Sequence, residues 1–176
     1  MRKLPNLTEI YFTADVAEIL NVPEWRVIRF AAGNEYQITP SQSDAAGSGT
    51  RRVYDIENVC QMALALKLLD SGLSARTIGS ILQRLAANVN ERLSSKLELS
   101  DLQLRDLYLA VFRPPKRSKY WSRGGREVLF VSGFQEALVE QAERREDDLL
   151  LVSVGATFQK LIRRLKKFQK QKAKEK

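Results

Sequence analysis

At 176 residues, with 44% hydrophobic and 28% charged side chains, the chain has an ordinary globular composition and length enough to bury a sizeable core. No apolar run approaches the roughly 18 residues of a membrane-spanning helix. Residues 1–6 lack the apolar centre of a signal peptide, and Cys60 alone can close no internal disulfide, so a cytoplasmic location is expected. With no histidine and one cysteine, neither a zinc site nor a histidine-based catalytic relay is expected, and nothing points to a cofactor.

The formal net charge of +8 is unevenly placed. Residues 160–176 hold nine Lys and Arg against the single Glu175, leaving residues 1–159 balanced at 20 of each sign. The high isoelectric point therefore belongs to the end of the chain and is not in itself a sign that the rest binds nucleic acid.

Residues 13–20 read as a short helix, with Thr13 as N-cap and Asp15 in the first turn, where the helix dipole favours an acid. Phe12, Val16, Ile19 and Leu20 supply its apolar stripe. Asn21-Val22 breaks the pattern, and Pro23 can open a second helix over residues 23–32. Val27, Phe30 and Ala31 share one face of that helix, and Arg26 and Arg29, three apart, share another. Two short helices joined by a tight turn suggest a helix-turn-helix, or a helical hairpin with a solvated second face.

Residues 36–39 and 51–54 offer two short strands around a Ser-, Ala- and Gly-rich loop. The loop ends in Gly47-Ser48-Gly49-Thr50-Arg51-Arg52-Val53-Tyr54-Asp55, where the glycines permit a tight turn. Arg51 and Arg52 would set two charged forks suited to phosphate on its rim; a solvated basic turn is the plainer reading. A hairpin placed directly after a helix-turn-helix is a wing.

Asp55 caps a helix over residues 56–69, with Val59, Met62, Ala63, Leu66 and Leu69 in helical period. Gly72 is a stop signal and Ser74 caps a further helix carrying Ile78, Ile81, Leu82, Leu85 and Val89. Cys60 reads as a small buried hydrophobe, with a redox switch as the rival.

This ordered set resembles the opening of MerR-family transcription regulators. The resemblance is carried by Phe12-Thr13-Ala14-Asp15-Val16-Ala17 with Leu20-Asn21-Val22, by the wing at residues 47–55, and by Leu69-Asp70-Ser71-Gly72-Leu73-Ser74 with Ile78 and Ile81-Leu82. It covers residues 11–85, and the Gly-Ser-Gly-Thr loop matches a subgroup with a longer wing. The chain departs from the family in one place: aligned on Asn21-Val22, the usual recognition-helix arginine falls at Ile28, one place before Arg29.

The resemblance implies a DNA-binding set of Thr13, Glu24, Trp25, Arg26, Arg29, Arg51, Arg52 and Tyr54. The helix around residues 24–32 would enter the major groove, with Arg26 and Arg29 on base edges. Arg51 and Arg52 would clamp phosphates, and Tyr54 would either donate to a phosphate or pack at the wing base. Trp25 would anchor the helix, with base stacking as the rival. The implied partners are double-stranded DNA and a second copy of the chain, with RNA polymerase as a further partner. No membrane contact is implied, and a small-molecule effector stays open.

Residues 90–100 look like a polar junction, and from there the pattern becomes β-β-α-β-α. Strands are expected at 107–113, 127–132 and 149–154, with helices at 134–143 and 157–169. The last helix sets Phe158, Leu161, Ile162, Leu165 and Phe168 on one face. A Val-Gly pair, Val154-Gly155, precedes it, as in the C-terminal region of the subgroup. Loop 114–126 carries five cations and no acid, with Tyr120 and Trp121, and is either a solvated turn or an anion-binding surface. From Lys166 the chain reads as a frayed basic end that adds DNA affinity. Pairing of the Phe158–Phe168 face with a twin helix is the rival, and membrane-surface binding a third reading.

The expected architecture is thus mostly α with a small α/β part: a MerR-like winged helix-turn-helix over residues 1–90, a dimerisation or effector module over 91–165, and a basic tail over 166–176. The expected function is a dimeric, sequence-specific transcriptional regulator on promoter DNA. The alternative is an excisionase-like factor that bends DNA for a recombinase; the length of the chain argues against it. An enzyme is not expected, because no nucleophile–base pair or metal-ligand cluster is present.

Overall fold

A computed structural model describes residues 9–32, 35–43, 52–87, 92–113, 127–132, 136–145 and 148–175. Residues 47–51, expected as part of a wing and including Arg51, and the basic stretch 114–126 lie outside the described residues. The described chain is mostly helical, with two small three-stranded antiparallel sheets.

Strand β1 (Tyr11–Phe12) runs directly into helix α1 (Thr13–Leu20). Thr13 is the first residue of the helix and not its cap, because strand pairing of Phe12 with Val53 holds Phe12 extended at φ −91°. The N-cap is therefore Phe12, whose backbone N–H donates to the Asp15 carboxylate at 2.8 Å. Asn21 ends α1 in the left-handed conformation at φ 55°, and helix α2 (Glu24–Ala32) follows. Val27 and Phe30 are its buried residues.

Residues 36–39 are not a strand. Gln37 sits at φ 56°, which breaks extended pairing, and Tyr36 and Ile38 are both buried, Tyr36 edge-on against Phe30 at 4.8 Å. A methyl group on Gly79 would stand 2.0 Å from the carbonyl oxygen of Glu35, so this segment crosses helix α4 (Ala75–Ala87) at closest approach. Pairing begins later, between β2 (Gln42–Ser43) and β3 (Arg52–Tyr54), and β3 lies between β1 and β2.

Helix α3 (Ile56–Asp70) starts at Asp55, whose carboxylate accepts from the Asn58 N–H at 2.8 Å. At φ 81°, Gly72 closes the corner before α4, and the Ser74 hydroxyl caps α4 by accepting from the Thr77 N–H at 3.3 Å. Both caps stand where the sequence places them. Cys60 is fully buried on α3, and burial pushes its thiol well above its usual pKa, which removes the reactive thiolate.

The stretch expected as a plain junction holds a 3₁₀ turn (Ser94–Glu98) and helix α5 (Asp101–Arg105). Glu57 ties the turn to α3 by accepting from the N–H groups of Leu93 and Ser94 at 2.9 and 2.8 Å. Ser100 caps α5 in a reciprocal box with Gln103.

The second sheet has the order β5 (Glu127–Ser132), β4 (Leu107–Arg113), β6 (Asp148–Ser153), with helix α6 (Glu136–Arg145) between β5 and β6 in the chain. Central strand β4 is apolar on both faces. Leu107, Leu109 and Val111 belong to the main core, while Ala110 and Phe112 pack with Leu138 and Ala142 of α6.

Helix α7 (Gly155–Glu175) continues to Glu175, so the expected frayed end from Lys166 is helical. It starts against α5: a methyl group on Gly155 would stand 1.5 Å from the Leu104 carbonyl oxygen, which explains glycine there. Phe158, Leu161, Ile162, Leu165 and Phe168 are buried within the chain itself, so this stripe is not available to a twin helix. One apolar cluster runs from Tyr11 through α1–α4 to Phe168, and residues on both sides of position 90 share it. Among the described residues no helix is long and apolar enough to cross a membrane.

Candidate nucleic-acid interface

Position along α2 decides which side chains are offered outward. Val27 and Phe30 turn into the core, which leaves Glu24, Trp25, Ile28 and Arg29 exposed on the other side. Trp25 is 60% exposed and Ile28 43% exposed. The expectation that Trp25 anchors the helix does not fit this exposure; Val27 and Phe30 are the buried residues of α2. Arg29 is exposed and has no ion-pair partner among the described residues.

Arg26 is separated from this outward face. It is half-buried and lines a cleft with residues of α3 and α7. Arg29 and Arg26 thus look onto different surroundings, although they lie one turn apart.

The sheet meets α2 through Arg52. Its guanidinium Nη1 donates to the Ile28 carbonyl oxygen at 3.3 Å, which sets the cation beside the exposed helix face. Tyr54 lies beneath. Its side chain is 0% exposed, and its hydroxyl has no hydrogen-bond partner among the described residues. A phosphate cannot reach it, so of the two roles expected for Tyr54 only packing at the base of the sheet fits the structure. Thr13 is half-buried at the start of α1.

Residues that the sequence did not single out hold this corner in place. Asn58 is only 6% exposed and is fully engaged. Its amide Nδ2 donates to the Thr39 carbonyl at 2.9 Å, and its Oδ1 accepts from the Ser41 hydroxyl at 2.9 Å and from the Asp55 N–H at 3.3 Å. One side chain thereby ties the approach to β2 and the end of β3 to the first turn of α3. The signal was present as Asp-x-x-Asn, a reciprocal capping box at residues 55–58.

Helix α7 fixes α1 from the other side. Arg164 Nη1 donates to the Leu20 carbonyl at 2.5 Å, and Gln169 donates to Glu9 at 3.0 Å. Lys172 stands 3.2 Å from the Asp15 carboxylate and 4.8 Å over the Phe168 ring. Phe168 in turn packs at 6.2 Å on Tyr11, whose hydroxyl is pushed up to about 12 chiefly by burial. The outer side of α7 carries Lys160, Arg163, Lys167, Lys170 and Lys174, all exposed. Their spacing of three and four residues puts them in one stripe, about 21 Å long at the helical rise.

Among the described residues no group of three acidic, thiol or imidazole side chains could hold a metal ion. No family model matches the chain, and no curated protein matches it.

Proposed function

We propose that the chain is a sequence-specific double-stranded-DNA-binding regulator of transcription, built on a winged helix-turn-helix of MerR type and acting as a dimer. The observation that carries this reading is the corner of α2 and β3: an exposed helix face bearing Trp25, Ile28 and Arg29, with Arg52 beside it on the hairpin. In this reading α2 enters the major groove, Arg29 pairs with a guanine edge, and Ile28 meets a thymine methyl. Arg52 contacts phosphate and sets register without reading sequence.

The basic stripe of α7 supports the same reading. Residues 1–90 carry nine cations and nine acids, so the corner has little bulk attraction for a polyanion. Four of the aligned cations on α7, Arg163, Lys167, Lys170 and Lys174, supply it, and two copies of the chain on a two-fold site would double both terms. RNA polymerase is the further partner that such a regulator would meet at a promoter.

The test is selection of a preferred duplex from a random pool, followed by titration with wild type and Arg29→Ala. Arg29→Ala should weaken the preferred site by about 1–3 kcal/mol and leave a scrambled site nearly unchanged. Equal weakening on both would remove Arg29 from base readout.

A further inference from the structure

Arg26 is half-buried and lines a recess that Trp25, Ile28 and Arg29 do not, and its surroundings form a site of their own. A cleft of about 270 Å³ opens between the α1–α2 corner, α3 and α7. Arg26 comes from α2, Lys67 and Asp70 from α3, and Lys160 and Arg164 from α7. Four cations therefore face one recess with a single carboxylate among them. A concave wall of one sign focuses the field and gathers counter-ions, so this recess is built to hold an anion.

Ion pairs with acidic side chains do not take up these cations among the described residues. Arg26, Lys67 and Lys160 have no ion-pair partner among the described residues. Arg164 is oriented by its bond to the Leu20 carbonyl, which uses one of its five donors. Leu20, Val22 and Leu161 give the recess an apolar share. Its volume lies below the roughly 300–1,000 Å³ of pockets that enclose drug-sized ligands. A phosphate group carried on a small organic body fits both the charge and the size.

We infer that this cleft binds a small phosphate monoester, and that occupancy ties α2 to α3 and α7. The seat itself stands on the cleft alone; its effect on DNA binding rests on the reading of α2 given above. The same chemistry could come from a duplex phosphate. The small ligand is favoured because the recess is walled by residues of α1, α2, α3 and α7, and none of Trp25, Ile28 and Arg29 lines it.

Full-length protein is titrated calorimetrically with inorganic phosphate and with glycerol phosphate at constant ionic strength. Saturable one-to-one binding of glycerol phosphate is expected. Lys67→Gln and the exposed-site variant Lys160→Gln should each weaken it about tenfold, the effect of one lost charge-assisted contact. Lys174→Gln, on the outer stripe, should leave it unchanged. Unsaturable heat, or equal affinity in all three variants, would overturn the site. In a separate arm without ligand, Lys67→Gln should leave duplex affinity and its salt dependence as in wild type. A salt slope reduced by about one would assign the seat to DNA phosphate and overturn the small-ligand inference. Absence of any duplex binding by wild type would sink the DNA reading while the calorimetric result still decides the cleft.

Discussion

The two sheets are both three-stranded and antiparallel, yet they are stabilised in different ways. In the sheet of β4, β5 and β6, the strands run six or seven residues and central β4 is covered on both faces, with Leu109 in the main core and Phe112 packed with Leu138 and Ala142 of α6. Its stability comes from apolar burial, which is non-directional and large. In the sheet of β1, β2 and β3, no strand exceeds three residues among the described residues, and so few ladder bonds are marginal by themselves. Polar clamps hold it instead: Asn58 on Thr39, Ser41 and Asp55, and Arg52 on Ile28. The sheet of β4, β5 and β6 belongs to the core, and the sheet of β1, β2 and β3 sets where a cation stands beside α2. A positioning device of this kind can be disturbed without unfolding the molecule.

That contrast can be broken by substitution. Phe158 is fully buried on α7 and faces Phe130 at 6.5 Å, so Phe158→Ala should cost about 3–5 kcal/mol of global stability in chemical denaturation. A loss under about 1 kcal/mol would show that α7 is not part of the core that supports the sheet of β4. Asn58→Ala should cost less, about 1–3 kcal/mol, because it takes from the Thr39 carbonyl and the Ser41 hydroxyl the partner that Asn58 supplies, while the Asp55 N–H keeps the Ser41 oxygen at 3.1 Å. Its signature in hydrogen exchange should be local, with Arg52–Tyr54 deprotected and Leu107–Arg113 unchanged. Equal deprotection of both strands would erase the distinction between them.

The long strands and the caps were legible in the sequence because their signals are local. Leu107–Arg113 and Glu127–Ser132 lie where apolar periodicity and flanking polar loops set them, and Asp55 and Ser74 cap the helices that follow them. The misses share a physical cause. Tyr36 and Ile38 alternate like a strand, but the turn at Gln37 and the crossing at Gly79 bury both against distant helices. The basic run after Lys166 looks frayed until Lys172 finds Asp15 and Phe168 finds Tyr11, far away in the chain. In α2, periodicity identified Val27 and Phe30 but could not tell that Trp25 would stand 60% exposed. Arg29 and Arg52 were readable as candidates from residue type. The cleft beside Arg26 was not, because its walls come from α3 and α7.

The outward position of Trp25 also supplies the most direct measurement of the central claim, that the exposed face of α2 is the DNA contact. The chain has two tryptophans, so Trp121→Phe leaves Trp25 as the sole indole reporter. In the free protein, acrylamide should quench its emission readily, as a 60% exposed side chain allows. Saturation with a selected duplex should shield it, with the quenching constant falling several-fold as binding is completed. If the duplex binds while Trp25 stays as open to acrylamide as before, the DNA lies elsewhere on the molecule and the account of α2 is wrong.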